Sequence, residues 1–366
     1  MSTETRQGGA LPGKPGPDTH ATEVFTHIVD KVPLDTIVVT LRKQYGIECV
    51  ALEMLSGERD QNYRIADRHG ATFVCKVSHP SEPARVTQTQ AQVLRHLARV
   101  APSLPVQRVV PTLAGEDFAK IDLGRDEPVR VRLLTYLHGT PMHQATASVT
   151  TRRSLGTTHA QLIAALAILT DAETTPDLLW DLTHIQRVRP LLAHLRSVSD
   201  RRLAECFLRD FEHHAQPRVS SLRQQLIHND LNPYNLLVDD NTAGICGVLD
   251  FGDLVAAPML NDIAIASSYL ISAHGHPLDD VCDYVAAFHR EIPLRHEEID
   301  TLFLLIAGRL VMTVAITEWR ATLHPENRKY ILRNNPAAWL GLRRLSTVSL
   351  EEAGARFRKA CGLDGA

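Results

Sequence analysis

The sequence predicts an α+β fold with two lobes, in which a small antiparallel β-sheet lobe precedes a larger and mostly helical lobe. Short runs of β-branched and aromatic residues separated by turn residues predict strands before residue 139. After Gly139, apolar residues recur at helical spacing. A strip of short strands and clustered polar side chains, residues 225–253, interrupts these helices. We therefore expect a disordered tail at residues 1–20, an N-terminal lobe at 21–138 and a C-terminal lobe at 139–366.

The composition indicates a globular protein that binds neither nucleic acid nor a membrane. The 366 residues are 44% hydrophobic and 22% charged, with a formal net charge of −3, which is enough apolar material for a substantial core. No basic run is interleaved with aromatic residues, and no uninterrupted apolar run approaches the length of a membrane span, about 18 residues. The six cysteines are scattered without C-x-x-C pairs, which predicts reduced thiols and a cytoplasmic location.

The N-terminal lobe is predicted from short elements divided by turns. Residues 1–20 are rich in Gly and Pro and cannot bury a core. The expected elements are a helix at 34–45, strands at 49–55, 62–66 and 71–77, a helix at 83–99, and strands at 107–111, 117–123 and 129–136.

Two features of this lobe suit phosphate binding. The turn that begins at Ser56 and Gly57 could offer backbone N–H groups to phosphate oxygens, although its single glycine fits a plain hairpin turn as well. In the third strand, Lys76 shares a face with Thr72 and Val74 and would point its charge toward a cleft. The competing interpretation of Lys76 is a solvated lysine on an edge strand.

The last strand of this lobe is expected to lead into the second lobe. Backbone groups around Tyr136 and Leu137 could hydrogen-bond the edge of a purine there, or the segment could simply be a buried strand that leaves the sheet. The elements expected beyond it are helices at 154–169, 186–198, 201–215 and 299–322 and short strands at 225–228, 235–239 and 245–249.

The polar strip carries the predicted chemistry. It reads LIHNDLNPYNLLVDDNTAGICGVLDFGD, with His228, Asp230 and Asn235 spaced as H-x-D-x-x-x-x-N and Asp250 opening a D-F-G after one hairpin. Phosphoryl transfer needs a carboxylate beside the attacking hydroxyl, and an amide and a second carboxylate that hold Mg²⁺ against nucleotide phosphates. Asp230 fits the first role, and Asn235 and Asp250 fit the second. His228 is expected to orient the loop by hydrogen bonding, since no further His or Cys follows at the spacing of a metal site.

Charged residues beyond the D-F-G are candidates for acceptor binding. Asp253 follows it directly, and Arg309 interrupts an apolar helix, where a buried guanidinium needs a partner or a cleft. Either a salt bridge within the lobe explains Arg309, or Arg309 or Arg320 binds a substrate carboxylate while Glu318 or another acid binds an amine. Asp262 stands where a helix N-cap is expected, and its carboxylate could also brace the catalytic loop from behind.

Together these motifs resemble those of the aminoglycoside/choline-type phosphotransferases, which are small-molecule kinases with a protein-kinase-like two-lobed fold. Within that group the hydroxylysine kinase branch is the most similar. The resemblance covers nearly the whole chain and is carried by the blocks GERDQNYRI (57–65), VRLLTYLHGTPM (131–142), LLWDL (178–182), LIHNDLNPYNLLV (226–238), GVLDFGDLVAAPMLNDIAIASSYL (247–270) and EWRATLHPENRKYI (318–331).

The resemblance implies transfer of the γ-phosphate of GTP or ATP, with Mg²⁺, to a hydroxyl of a small amine or amino acid. In the hydroxylysine branch the acceptor is 5-hydroxy-L-lysine and GTP is the associated donor. By matching position, Asp230 is the catalytic base, Asn235 and Asp250 are the Mg²⁺ ligands and Lys76 is the phosphate contact. The family places an acidic partner for this lysine on the helix at 83–99. This chain has Gln90 there, which can hydrogen-bond Lys76 but cannot form an ion pair.

Three alternatives stay open at this stage. An aminoglycoside kinase of the same fold would favour a cleft lined with carboxylates, whereas the arginines near the C-terminus suggest a substrate with its own carboxylate. A homoserine, choline or ethanolamine kinase is the second alternative. A nucleotide-binding pseudokinase is the third, and the intact Asp230, Asn235 and Asp250 argue against it.

Overall fold

The first lobe is built around an antiparallel sheet. The computed structural model describes residues 31–55, 60–79, 82–124, 127–146, 148–169 and 178–363, so the predicted tail at 1–20 and the predicted loop residues Ser56 and Gly57 lie outside the described residues. The elements of this lobe are α1 (Leu34–Thr40) with a π-helical turn (Leu41–Tyr45), β1 (Cys49–Leu55), β2 (Gln61–Asp67), β3 (Thr72–Val77), α2 (Ala84–Val100), β4 (Val109–Val110), β5 (Ala119–Ile121) and β6 (Val129–Thr135).

The register of this sheet sorts its side chains between two faces. The strands lie in the order β1-β2-β3-β6-β4, with β5 also paired to β6, and every pair is antiparallel. Because side chains alternate along a strand, Tyr63, Cys75 and Val131 share one face, where they pack with α1 in a buried cluster. Lys76 lies on the opposite face, between Asn62 of β2 and Arg132 of β6. This second face is therefore the one that can serve the cleft.

The second lobe is mostly helical and contains two small sheets. Its elements are β7 (Thr140–Pro141), α3 (Val149–Leu166), a 3₁₀ segment (Leu182–His194), α4 (Val198–Asp210) with a π-helical turn (Phe211–Ala215), α5 (Gln216–Val219), β8 (Gln224–Ile227), β9 (Leu236–Val238), β10 (Ile245–Val248), β11 (Val255–Pro258), α6 (Met259–Ser268), α7 (Asp279–Glu291), α8 (His296–Leu323), α9 (Arg328–Ile331), α10 (Asn335–Leu345) and α11 (Leu350–Ala360). Strands β10, β9 and β7 form one sheet, and β11 and β8 form the other.

Three elements differ from the prediction for identifiable reasons. Helix α3 starts at Val149 rather than 154, because the Ser148 hydroxyl accepts a hydrogen bond from the Thr151 amide at 3.1 Å and caps the helix there. The helix expected at 186–198 is a 3₁₀ segment that contains Pro190, whose missing N–H disfavours an α-helix. Residues 255–258, which lie outside the predicted strands, pair with β8 as β11.

Helix α8 is the central element of the second lobe. It runs for 28 residues and is long and apolar enough to cross a membrane by length and composition, but 94% of its most apolar window is buried inside the structure. It packs against α6, α10 and the 3₁₀ segment. A helix that is apolar on nearly all sides is expected to be buried in this way. It carries Arg309 into the interior, where the side chain is 4% exposed.

The α+β architecture with a sheet-rich first lobe and a helical second lobe is as predicted. The boundary between the lobes at residues 138 and 139 stays a prediction. Contacts between the lobes include a parallel bridge from Val106 to Val248 and the hydrogen bond from the Val248 amide to the Pro105 carbonyl at 2.7 Å. They bring the face of the sheet that carries Lys76 toward β10.

Candidate active site

A tight loop between β8 and β9 holds the predicted catalytic residues. Its second residue, Asn229, has a φ of 65°, which Asn tolerates better than most residues. The Asp230 amide donates to Nδ1 of His228 at 3.3 Å, and the Asp230 carbonyl accepts from the amide of Asn232 at 2.8 Å. The side chain of Asn232 in turn accepts from the Tyr234 amide at 2.8 Å. These local bonds fix the loop so that the Asp230 side chain has one position.

The two carboxylate oxygens of Asp230 have different partners. Oδ2 accepts hydrogen bonds from the side-chain amides of Asn232 at 2.9 Å and Asn235 at 2.8 Å. Oδ1 lies 3.6 Å from Nη2 of Arg309. Oδ2 is therefore fully engaged by the side chains of the loop. Oδ1 faces the guanidinium of Arg309 and can still accept a hydrogen bond from a substrate hydroxyl.

The electrostatic surroundings of Asp230 raise its pKa from 3.8 to about 7. Burial is the largest cause, and the neighbouring negative charge of Asp253 adds to it. The positive charge of Arg309 and the hydrogen bond from Asn232 oppose the rise. A carboxyl group poised near neutral pH is typical of a catalytic acid or base.

Asp250 reaches the same cleft from the end of β10. The Leu249 amide donates to the carbonyl of Asn235 at 2.8 Å, which locks the two segments together. Asp250 has a φ of 56°, a strained conformation for a non-glycine residue that is concentrated at functional sites. Its Oδ1 accepts a hydrogen bond from Nζ of Lys76 at 2.9 Å. The charge of Lys76 lowers the pKa of Asp250 to about 2 against partial desolvation in the cleft, where the Asp250 side chain is 48% exposed, so this carboxylate is ionised at neutral pH.

The donor set at Asn235 and Asp250 fits a hard divalent cation. The amide nitrogen of Asn235 is committed to the side chain and carbonyl of Asp230, which leaves its amide oxygen for a cation. Oxygen donors suit Mg²⁺, which binds through one or two carboxylates and keeps its remaining positions for water and phosphate. Within the described ranges, no group of three His, Cys, Asp or Glu side chains could hold a metal by itself. The two residues thus fit a cation that is shared with a phosphate ligand.

His228 is a buried anchor of the loop. Its Nε2 donates to the Leu249 carbonyl at 3.0 Å, and its Nδ1 accepts from the Asp230 amide, so a neutral ring satisfies both contacts. Burial lowers the pKa of His228, and the ring packs edge-on against Phe251 with the centroids 4.8 Å apart. This geometry supports the predicted orienting role, because the ring has no free nitrogen for proton transfer.

Asp262 is not the N-cap that the sequence suggested. The N-cap of α6 is Pro258, and Asp262 lies within the first turn, where it is fully buried. Its carboxylate accepts from the backbone amides of His228 at 3.0 Å and Asn229 at 2.8 Å, so the alternative role as a brace behind the loop is the one that the structure contains.

His159 extends this brace into the core. Its Nε2 lies 3.1 Å from Oδ2 of Asp262, and its Nδ1 lies 2.6 Å from the hydroxyl of Tyr284, with both rings buried. Sequence reasoning missed His159 and Tyr284. Neither stands at a recognisable spacing from the catalytic strip, so only the packing of α3 against α7 could have found them.

Gln90 does not contact Lys76 as expected. Its side-chain oxygen accepts a hydrogen bond from Nη1 of Arg132, and the side chain is buried. Nη2 of Arg132 pairs with Asp60 at 2.9 Å. The expectation was wrong because it did not consider Arg132, whose side chain lies opposite Lys76 on the neighbouring strand.

The hinge after β6 carries Tyr136 and Leu137. The Tyr136 amide donates to the Thr72 carbonyl at 3.4 Å, and the guanidinium of Arg64 lies 4.9 Å from the Tyr136 ring centroid. The backbone of Leu137 makes no hydrogen bond to another backbone group among the residues that the structure describes. An unpaired N–H and C=O are what a purine edge requires, so the predicted contact with a nucleotide base stays a prediction with a suitable geometry.

Arg309 forms an ion pair with Asp230 inside the second lobe, as its salt-bridge interpretation required, and its contact with a substrate carboxylate stays a prediction. Besides Asp230, its guanidinium contacts Trp180, donating to the carbonyl at 3.4 Å and lying 4.8 Å from the ring centroid. Tyr269 lies close to both Arg309 and Arg333. Burial raises the pKa of Tyr269, and the positive charges of these two arginines oppose that rise. Arg333 also lies over Tyr234 of the catalytic loop, 4.8 Å from the ring centroid. Sequence reasoning missed Trp180, Tyr269 and Arg333.

Glu318 and Arg320 lie farther along α8. At 1.5 Å per residue they are about 14 and 16 Å beyond Arg309 along the helix axis. Glu318 pairs with Arg328 at 3.2 Å, and Arg320 is buried near the end of the helix. The structure thus brings Arg309 to Asp230, and it gives Glu318 a salt bridge within the lobe.

Known proteins are similar to this chain over most of its length. Residues 51–295, more than half of the chain, match the phosphotransferase enzyme family. Hydroxylysine kinase of Danio rerio is 28% identical over 333 residues, which cover 87% of this chain and 92% of the relative. Hydroxylysine kinase of Mus musculus is 25% identical over 324 residues, which cover 82% and 86%.

Two solved structures show the same fold. An amicoumacin kinase in complex with AMP-PNP and Ca²⁺ aligns with a TM-score of 0.63 at 14% identity, over 84% of this chain and 95% of that chain. A microcompartment-associated aminopropanol kinase aligns with a TM-score of 0.62 at 19% identity, over 87% and 98%. These alignments confirm the predicted kinase-like architecture.

Proposed function

The chain belongs to the phosphotransferase enzyme family, and on this premise we propose that it transfers the γ-phosphate of GTP or ATP to the hydroxyl of 5-hydroxy-L-lysine. The observation that carries the proposal is the meeting of the catalytic loop, Asp250 and Lys76 in one cleft. A carboxylate for the acceptor, oxygen donors for a cation and a lysine for phosphate are the parts that phosphoryl transfer requires. The hydroxylysine kinases that align with most of the chain support the choice of acceptor.

The nucleotide would lie between the lobes. Its purine would meet the backbone of Tyr136 and Leu137, and its phosphates would meet Lys76 and the loop that includes Ser56 and Gly57. Lys76 is placed for this, because its ammonium lies at the cleft beside Asp250, and the charges of Asp250 and Asp60 raise its pKa so that it stays positively charged. A bound divalent cation, Mg²⁺ in our proposal, would neutralise charge on the transferred phosphate, with Asn235 and Asp250 holding it.

Asp230 would position the acceptor hydroxyl through Oδ1. The other oxygen is held by the loop amides, so the carboxylate cannot rotate away from the acceptor. Because the transition state of phosphoryl transfer is loose, orientation of the hydroxyl matters more than early removal of its proton. His228 would keep the loop in place, and Arg309 would favour the ionised form of Asp230.

The charges beyond Asp230 suit a zwitterionic acceptor. In 5-hydroxy-L-lysine the ε-amine is on the carbon next to the hydroxyl carbon, so a hydroxyl at Asp230 brings the amine close to the carboxylates of Asp230 and Asp253. The α-carboxylate is at the other end of the molecule, where Arg309 or Arg333 would bind it. These two guanidinium groups would repel a polycationic aminoglycoside. Glu318 and Arg320 would act only on a larger acceptor.

The experiment is nucleoside diphosphate release from GTP and from ATP across an acceptor panel of 5-hydroxylysine, lysine, homoserine, choline, ethanolamine and kanamycin. We expect turnover on 5-hydroxylysine and none on lysine, which differs only in the missing hydroxyl. In Asp230→Ala the turnover should fall by about two orders of magnitude or more with little change in nucleotide affinity. Asp240→Ala, an exposed acid of the β9–β10 hairpin, is the matched control and should behave as wild type.

The outcomes separate the alternatives. Turnover on kanamycin alone would identify an antibiotic kinase, and turnover on choline or homoserine would identify another acceptor class. Nucleotide binding without turnover on any acceptor would support the pseudokinase alternative. Near-normal turnover of Asp230→Ala would contradict the proposed role of Asp230.

A further inference from the structure

A buried charged cluster lies beside Lys76 in the first lobe. We call it the Arg132 cluster, and it consists of Arg132, Asp60, Gln90 and Ser78. The side chains of Arg132 and Asp60 are 5% and 11% exposed, and their Nη2 and Oδ2 atoms are 2.9 Å apart. Arg132 also donates to the side-chain oxygen of Gln90 and lies 3.4 Å from the Ser78 hydroxyl. An ion pair so deeply buried is retained only where its geometry is well satisfied or it has a specific role.

The register of the sheet points this cluster at Lys76. Arg132 is the direct cross-strand neighbour of Lys76 on β6, and Asn62 is its neighbour on β2. Asp60 precedes Asn62 by two residues and lies directly before the start of β2 at Gln61. Its second oxygen accepts from the amide of His79 at 3.3 Å. Both oxygens of Asp60 are therefore fixed beside the strand that neighbours Lys76.

The charges of the cluster need an acid at this position. Lys76 and Arg132 are like charges on directly opposed positions of two antiparallel strands, an arrangement that is destabilising by itself. Burial and Arg132 lower the pKa of Lys76, but Asp250 and Asp60 outweigh them and raise it. Asp250 is also the carboxylate that fits a cation. When Asp250 binds a divalent cation, Asp60 still pairs with Arg132 and lies within electrostatic reach of Lys76, and Glu82 is a second acid within reach of both basic side chains.

We propose that Asp60, anchored by Arg132, is the acidic positioning residue for Lys76. Gln90 is then neutral because its partner is Arg132, whose charge Asp60 already balances. This inference rests on the nucleotide site of the proposed function and not on the identity of the acceptor. It predicts that the negative charge can be moved from residue 60 to residue 90 without loss of the nucleotide site.

The test is calorimetric titration of wild type and variants with non-hydrolysable GTP and ATP analogues in the presence of Mg²⁺. Asp60→Asn should weaken binding about 10-fold, because the guanidinium of Arg132 then loses its ion-pair partner and repels the ammonium of Lys76 more strongly. The double variant Asp60→Asn/Gln90→Glu should recover to within about 3-fold of wild type, since the carboxylate introduced on α2 would restore one negative charge beside Arg132. Glu48→Gln is the matched control, because Glu48 forms an exposed 2.8 Å pair with Arg68 on the same lobe, and it should leave the affinity unchanged.

Two results would overturn the inference. One is wild-type affinity in Asp60→Asn, and the other is failure of Gln90→Glu to restore the lost affinity. If Asp60→Asn is not folded by thermal unfolding, Gln90→Leu replaces it. That variant leaves Asp60 in place but removes an acceptor of Arg132, so it should weaken binding about 3-fold, and no change would count against the cluster. Absence of binding by wild type to either nucleotide analogue would instead contradict the proposed function.

Discussion

Removal of the Arg309 guanidinium should raise the pH at which the enzyme becomes active. Arg309 lies 3.6 Å from Oδ1 of Asp230 and is the strongest influence that lowers the pKa of this carboxyl group against burial and Asp253. A charge of opposite sign at such a distance shifts a carboxyl pKa by about 1 to 3 units. The substitution Arg309→Gln should therefore raise the pKa of Asp230 from its value of about 7.

The size of the effect follows from the ionised fraction. With a pKa near 7, about half of Asp230 is ionised at pH 7, and an upward shift of about 1.5 units leaves about 3% ionised. The rate at pH 7 should then fall about 15-fold and recover by about pH 9 or 10, because the ionised form is the one that orients the hydroxyl. A bound cation and nucleotide shift the pKa of Asp230 in both proteins, so the displacement between the two pH profiles is the quantity to compare.

The assay is kcat/KM for the acceptor, at saturating nucleotide, from about pH 5 to about pH 10. Arg309→Lys retains a positive charge, so the rise of its pH–rate profile on the acid side (the acid limb) should stay close to that of wild type. In Arg309→Gln the acid limb should move to higher pH. A contact of Arg309 with the acceptor carboxylate would lower the plateau of the profile without moving its limb. Thermal unfolding of each variant checks that the fold is intact. Superimposable acid limbs for wild type and Arg309→Gln would refute the reasoning.

Three further predictions concern the cation, the brace and the packing. Asp250→Asn should weaken Mn²⁺ binding by about 10-fold or more, because a charged ligand is lost. Calorimetry with a nucleotide analogue present measures this affinity, and an unchanged value would exclude Asp250 from the cation site. Asp262→Ala leaves two buried backbone amides of the catalytic loop without an acceptor. It should therefore lower the free energy of unfolding by about 3 kcal/mol, as measured by urea titration. An unaltered unfolding midpoint would argue against the role of Asp262 as a brace. Gly156→Ala puts a Cβ against the Tyr284 carbonyl and 2.7 Å from Cβ of Ala287. This close contact should lower the free energy of unfolding by about 2 kcal/mol in the same titration. A stability equal to wild type would show that α3 and α7 can move apart without cost.

The sequence predicted best those parts of the site in which the contacting residues lie close together in the chain. The spacing from Asp230 to Asn235 is set by one loop, and the hairpin that returns Asp250 is short, so their order in the sequence indicates their meeting in space. The face of β3 that carries Lys76 follows from strand alternation. These local constraints predicted the two-lobed α+β fold and the core of the candidate site.

The features that sequence missed depend on contacts between distant elements. Arg309 stood out as a charge in an apolar helix, but its partner Asp230 became known only from the packing of α8 behind the loop. His159 looked like any other polar residue of an amphipathic helix, because Tyr284 comes from α7. The role of Gln90 was mistaken for the same reason. Its neighbour Arg132 is on a strand that is far away in sequence.

The position of Arg309 on α8 has a consequence for biosynthesis. A ribosome completes the catalytic strip well before it adds His296–Leu323. Domains fold as units during synthesis, N-terminal parts first, and a helix that is apolar on nearly all sides gains stability only by docking in the core. When α8 docks, it therefore completes the core of the second lobe and at the same time brings Arg309 to Asp230. A nascent chain that ends before α8 would have neither, so catalytic competence arises only when folding of the second lobe is complete.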